Sequence, residues 1–279
     1  MSEIKIYEPN NQNKTILNVI GEMFKDLFSS TGLAKRLFIR DKNAEYRQSV
    51  FGILWALITP LANALIWVFL SASGAVNVSG TGIPYPLYVF LGTMIWSVFS
   101  ESISMPLLQT NSSKTLISKI NFPKEAILLS GFYKTLFNTG IKVVIIIGVL
   151  FFYGYYPNFS FILFLLILVY IILFGICLGL LITPVGMLYT DIGKVIPIIL
   201  PFLMYLTPVV YKKTKVSSLQ SIIDINPLTP LINSCRNMLT DGVIENPNYL
   251  LILLPITLLI IIIGWIFYRV SIPIIVERM

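Results

Sequence analysis

The chain has 279 residues, of which 56% are hydrophobic and only 12% charged, with a mean hydropathy of +0.83. A soluble domain carries about 25% charged residues, so this composition excludes a water-soluble surface and reads as an all-α polytopic membrane protein. The net charge of +7 fits Lys and Arg holding loops on the cytoplasmic side better than it fits a nucleic-acid partner.

Residues 1–49 read as a cytoplasmic N-terminal segment, polar at its start and without the apolar stretch of a cleavable signal. Two amphipathic helices are predicted in it. Over 16–28, Ile16, Leu17, Ile20, Met23, Phe24, Leu27 and Phe28 recur at helical spacing, and residues 29–32 interrupt. Over 33–47, Leu33, Ala34, Leu37, Phe38 and Ala44 oppose Lys35, Arg36, Arg40, Lys42, Glu45 and Arg47, the pattern of a helix lying in the plane of an anionic leaflet. Gln48 and Ser49 then join it to the membrane domain, 50–279.

A helix needs about 20 apolar residues to cross the hydrocarbon layer. Six stretches qualify: 50–72, 86–104, 127–153, 160–184, 192–211 and 249–268. The third is longer than one crossing, which implies tilt or an approach along the interface. Basic residues concentrate before the first stretch, between the second and third (Lys114, Lys119, Lys124), before the fifth (Lys194) and after the sixth (Arg269, Arg278). That alternation places both termini in the cytoplasm. The 212–248 loop then falls outside, although it carries Lys212, Lys213, Lys215 and Arg236. Its apolar spacing, broken at Asn226-Pro227 and Thr229-Pro230, reads either as two short amphipathic helices against the outer face or as an ordered external loop.

Enzyme chemistry finds little support. There is no histidine, the commonest general base and metal ligand. No Gly-Lys-Ser/Thr phosphate loop occurs. Cys177 and Cys235 have no metal or disulfide spacing, and Asp224 and Asp241 form no close carboxylate pair. No cofactor or metal is expected on this chain.

Three charges fall in or beside the apolar stretches, and such charges are functional hypotheses by default. Glu101 and Lys134 either pair at a shared depth or snorkel to the headgroups, whereas Lys142 is expected to snorkel. Tyr85, Tyr88, Tyr153, Tyr155 and Tyr156 read mostly as interface residues. Trp55, Trp67, Trp96 and Phe99 lie deeper, where they pack on lipid and helices or stack on sugar rings in a channel.

Arg40-Asp41, Tyr46-Arg47-Gln48-Ser49, Gly52, Trp55 and Pro60 resemble the start of the first span in permeases of type-2 ABC exporters, in the polysaccharide and polyol-phosphate export family. The stretch Asn111 to Lys119 with Phe122-Pro123-Lys124-Glu125 looks like that family's connection between spans 2 and 3. Tyr189-Thr190-Asp191-Ile192 is similar to its element after span 4, with Thr190 where Arg is usual. Thr207-Pro208 with Tyr211, then Asn226-Pro227-Leu228-Thr229-Pro230 and Arg236, look like its span-5 end and outer loop. The similarity runs from about residue 15 to the end.

The resemblance implies a homodimer in the bacterial cytoplasmic membrane, bound to two ATP-binding-cassette subunits that carry the ATP and Mg²⁺. It implies a channel between the permeases lined partly by spans 1 and 5, external gate helices at 212–248 around Asn226, Pro227 and Arg236, and a lipid-linked glycan as cargo. Arg40, Asp41, Tyr46, Arg47, Phe122, Pro123, Lys124 and Asp191 are then the expected contacts with the ATPase. Arg36 and the four deep aromatics are candidates for the channel or the lipid carrier, although Lys and Arg near the leaflet serve topology equally well. A permease of the same architecture for a smaller lipid or drug is the alternative, and a membrane-embedded glycolipid enzyme the third reading.

Overall fold

The first two helices form where the apolar spacing predicts them. A computed structural model describes residues 16–47, 50–73, 82–156, 158–211 and 220–277. In it α1 (Ile16–Ser29) ends where the hydroxyls of Ser29 and Ser30 turn back onto the Asp26 carbonyl, at 3.1 and 2.5 Å. Helix α2 (Thr31–Arg47) follows at once and buries Ala34 and Leu37. Its Phe38 packs on Tyr133 and Phe137 of α6 (Glu125–Phe152), so α2 lies along that helix.

Gln48 and Ser49, the expected join, lie outside the described residues. Beyond them a single 3-10 turn, Gly52–Leu54, leads into α3 (Trp55–Ala72). Gly52 has φ +47°, a conformation that a side chain disfavours, and it lets the chain change direction between α2 and α3. The apolar stretch predicted from residue 50 therefore becomes helical only at 55.

The remaining long helices are α4 (Tyr85–Ser112), α6, α7 (Ser160–Leu188) and α11 (Pro247–Glu277). Each runs past at least one end of its predicted stretch, because helical hydrogen bonding continues after the apolar residues stop. These four are long and apolar enough to cross a membrane. Helix α3 has 18 residues, and α8 (Thr190–Leu206) has 17, about 27 and 26 Å of helix. Among the described residues, length and composition thus mark four candidate crossings where six were expected. Short helices complete the chain: α5 (Lys114–Lys119), α9 (Gln220–Ile225) and α10 (Leu228–Thr240). Both short helices expected in the 212–248 loop are present. Lys212, Lys213 and Lys215 lie outside the described residues. Among the described residues there is no strand.

The centre of the molecule is the α4–α7 pair, with α11 on the other side of α7. Gly175 and Gly179 of α7 make the close approach possible. A Cβ at Gly175 would lie 2.6 Å from Ser102 Cβ, and one at Gly179 would lie 2.5 Å from the Ile103 carbonyl. Small residues four apart let helix backbones meet where lipid supplies no hydrophobic drive. The outer faces invert the soluble pattern: Leu65, Ile66 and Phe69 of α3, Ile198, Ile199 and Phe202 of α8, and Leu251, Leu259 and Ile263 of α11 are exposed.

Candidate functional site

A cavity of about 720 Å³ opens between α3, α4, α6 and α8. Trp55, Thr59, Pro60 and Asn63 come from α3, and Thr93, Trp96, Ser97 and Ser100 from α4. Pro197, Pro201, Met204 and Tyr205 come from α8, with Glu45 of α2 and Gly52 at the rim. The Thr93 and Ser97 hydroxyls donate to carbonyls of their own helix, Val89 at 2.9 Å and Met94 at 2.7 Å. The wall thus mixes the rings of Trp55, Trp96 and Tyr205 with prolines and neutral polar groups, and its charge lies in Glu45 and in one corner formed by Glu101, Asn138 and Lys142.

That corner corrects the expected pairing. Glu101 does not meet Lys134: it accepts from Lys142 Nζ at 2.9 Å and from Asn138 Nδ2 at 2.6 Å. Lys134 pairs instead with Glu45 at 2.9 Å. Gln109 of α4 donates to Ser130 of α6 at 3.0 Å, so eight residues further along the antiparallel pair Glu101 stands level with Asn138. Helical side chains lean toward the N-terminus. Lys142 therefore leans back onto Glu101, and Lys134 leans away from it toward α2. Lys142 does not snorkel, and its side chain is 7% exposed.

One face of α6 thus carries Ser130, Lys134, Asn138 and Lys142 at four-residue spacing, each with a polar partner. At its Ser130 end the row reaches Asp41, whose Oδ2 accepts from Gln109 at 2.7 Å while Oδ1 accepts from Arg40 Nε at 2.8 Å. Lys42 lies 3.9 Å above the Phe137 ring. The polar residues that topology does not require in α2, Asp41 and Glu45, are the ones that join α2 to this row.

Outside the cavity lining, Arg236 of α10 is fully buried. Its Nη2 donates to the Val209 carbonyl at 2.6 Å, and its guanidinium lies 3.7 Å above the Tyr88 ring. Burial lowers its affinity for the proton and Tyr88 opposes this, yet a guanidinium stays charged in proteins. Tyr85 and Tyr88 donate to the Val210 and Tyr211 carbonyls at 3.1 and 3.0 Å. Asn226 donates to Thr207 Oγ1 at 2.9 Å and accepts from the Leu228 amide at 3.0 Å, capping α10, with Pro227 between. The chain that leaves α8 is thus held through its own carbonyls by α4 and α10. Tyr85 and Tyr88 are part of this clasp and not the interface residues their position suggested.

The expected ATPase contacts divide. Arg40 is exposed on α2, as is Arg36, the candidate for the lipid carrier, and the side chains of Tyr46 and Arg47 lie outside the described residues. Phe122 is buried among Leu107, Ile117, Leu180, Tyr268 and Ile272. Lys124 Nζ lies 5.0 Å above the Phe122 ring, and burial lowers its pKa against the pull of Glu125. Pro123 is half-buried between them. Asp191 is exposed and stands 3.7 Å from Lys194, a surface pair of small energetic worth.

Of the aromatic candidates, Trp55 and Trp96 line the cavity. Trp67 meets its rim residue Tyr205 at 5.8 Å. Phe99 does not reach it, being enclosed between Trp96 and Phe174. Sequence reasoning gave no role to Asp26, Gln109, Ser130 and Asn138, and it read Arg269 only as a loop charge. The four-residue recurrence of polar residues from 130 to 142 was the available signal for the α6 row.

A model of the ABC-2 type transporter family matches residues 33–240, a stretch that contains both the cavity and the clasp around Arg236. The chain is 28% identical over 217 residues to the O-antigen export system permease protein RfbA of Klebsiella pneumoniae, covering 77% of this chain and 82% of that protein. It is 24% identical to the protein of the same name in Myxococcus xanthus, covering 76% and 82%. It is 23% identical to the polysialic acid transport protein KpsM of Escherichia coli, covering 84% and 91%. With three quarters of its length inside the family match, the chain belongs to the ABC-2 type transporter family of membrane proteins.

Proposed function

We propose that this chain is the permease subunit of an ATP-driven exporter that moves a lipid-linked polysaccharide, of the O-antigen, capsule or teichoic-acid kind, across the bacterial cytoplasmic membrane. The observation that carries the reading is the composition of the cavity wall. A polymer in transit needs a surface it can slide along. Trp55, Trp96 and Tyr205 offer ring faces to sugar faces. The hydroxyls of Thr93 and Ser97 donate within their own helix, and Asn138 and Lys142 donate to Glu101, so these donors are already committed before a sugar arrives. The names of the relatives, exporters of O-antigen and polysialic acid, support the same cargo class.

In this reading α3 and α8 complete six crossings with both termini inside, and α9 and α10 form an external gate. Two copies of the chain face one another across the cavities. The exposed basic face of α2 and the Phe122-Pro123-Lys124 corner meet two ATP-binding-cassette subunits, which bind ATP and Mg²⁺. The α6 row passes their movement from α2 to the charged corner of the cavity.

Two measurements test it together. Purification of the tagged chain from its native membrane is expected to bring down a P-loop ATPase. Cells lacking the chain are expected to accumulate lipid-linked glycan on the cytoplasmic side. Recovery of the chain without an ATPase, or normal surface glycan in its absence, overturns the proposal.

A further inference from the structure

We propose that Arg269 is a positioning residue that makes α1 travel with α6 and α11 when the 113–124 connection is pushed. Its Nη2 binds Asp26 of α1 at 2.7 Å and its Nη1 binds Glu125, the first residue of α6, while Glu22 of α1 stands 3.9 Å away. Asp26 and Glu125 are both buried. One guanidinium fork therefore holds carboxylates from two helices while belonging to a third, a geometry that an ammonium does not reproduce.

The place of Glu125 gives the contact its mechanical meaning. It directly follows Phe122-Pro123-Lys124, whose Phe122 is packed into the core beneath it. A push on that corner is delivered to the start of α6, and the fork passes it to α1 and to the cytoplasmic end of α11. The apolar contacts of α1 include Met23 in the same core, Val19 and Leu27 packed against it, and Phe24 edge-on to Trp265, with centroids 5.4 Å apart. At a lipid boundary an apolar face finds nearly as good a partner in acyl chains, so the ionic fork is what distinguishes docked α1 from free α1. The inference rests on reading the 113–124 connection as the ATPase-facing element.

The test uses the complex with its ATPase in lipid nanodiscs, comparing wild type with Asp26→Asn, Arg269→Lys and Asp26→Glu. Hydrogen exchange of the α1 amides reads docking without any cargo. ATP consumed per molecule of an undecaprenyl-diphosphate-linked oligosaccharide translocated reads coupling. Asp26→Asn and Arg269→Lys are expected to speed α1 exchange with α6 and α11 unchanged, and to lower translocation per ATP by about fivefold or more. Asp26→Glu, which keeps the carboxylate, is expected to recover most of both. Unchanged α1 exchange overturns the proposal. So does faster exchange with translocation per ATP unaltered, or loss of assembly in both variants, which assigns Arg269 a purely structural role. A wild-type complex that hydrolyses ATP and moves no oligosaccharide refutes the proposed cargo instead, and the exchange measurement still decides on the fork.

Discussion

Lys142 donates to Glu101 across 2.9 Å, while Lys134, two helical turns nearer the start of α6, pairs with Glu45 at the same distance. The two lysines share one helix face and divide its labour. The deeper pair closes the charged corner of the cavity, and the shallower one ties α6 to α2. Each carboxylate comes from a different neighbouring helix, so α6 is the element on which α2 and α4 take their register.

The deeper pair should behave as a buried ion pair. Lys142→Met alone leaves the Glu101 carboxylate short of a cation and is expected to destabilise the protein by roughly 3 kcal/mol, at the low end for buried pairs because Glu101 is a quarter exposed. The double variant Glu101→Gln with Lys142→Met removes both charges and is expected to recover most of that loss. Thermal unfolding in detergent measures both.

The shallower pair is half-exposed, and such pairs contribute about 0–1 kcal/mol. Lys134→Glu and Glu45→Lys are each expected to leave unfolding almost unchanged and to reduce glycan export, with the double exchange restoring it. Export that stays normal in both single variants would remove this contact from the coupling route.

Gly92 tests the clasp around Arg236. A Cβ there would collide with the Val209 carbonyl and Arg236 Nη2. Gly92→Ala is expected to cost about 1–3 kcal/mol as overpacking, although Ala favours a helix over Gly by about 1 kcal/mol. Gly140 of α6 has open space around its Cβ direction, so Gly140→Ala is expected to stabilise the protein or leave it unchanged. Thermal unfolding of the two variants separates the clasp from a general effect of removing helical glycine.

The clasp also depends on its phenols. Tyr88→Phe removes the donor to the Tyr211 carbonyl while keeping the ring beneath Arg236, and is expected to cost about 1 kcal/mol. Tyr88→Ala removes both contacts and is expected to cost several times more, measured as the shift in unfolding temperature.

The helices were legible in the sequence because their evidence is local. Apolar spacing located α1 and α2 and the break between them, and long apolar runs with few charges located the long helices. Of the two breaks read in the 212–248 loop, Asn226-Pro227 stands directly before α10, whereas Thr229-Pro230 falls within its first turn. What escaped was relational. Depth along α6 could not be counted from helix ends, since α4 and α6 outrun their apolar stretches, so Glu101 was matched with Lys134 and Lys142 was sent to the headgroups. Arg236 was read as an outer-loop charge and, by resemblance, a gate residue, because nothing nearby in sequence shows that its partners are the carbonyls after α8. Arg269 counted as one more cytoplasmic cation, although Asp26 and Glu125 stand 243 and 144 residues away in the chain.

The central claim is that a glycan passes along the aromatic wall under power supplied by a partner ATPase. Trp55 tests it most cleanly because it lines the cavity and is half-exposed, so its loss should spare the fold. In inverted membrane vesicles that contain the chain and its ATPase, ATP-dependent translocation of an undecaprenyl-diphosphate-linked oligosaccharide is expected for the wild type. Trp55→Ala is expected to slow it about tenfold, in line with the 1–3 kcal/mol of a lost aromatic stack, with the protein present at normal abundance. Wild-type vesicles that hydrolyse ATP without moving the oligosaccharide, or a Trp55→Ala protein that moves it at the wild-type rate, would contradict the account.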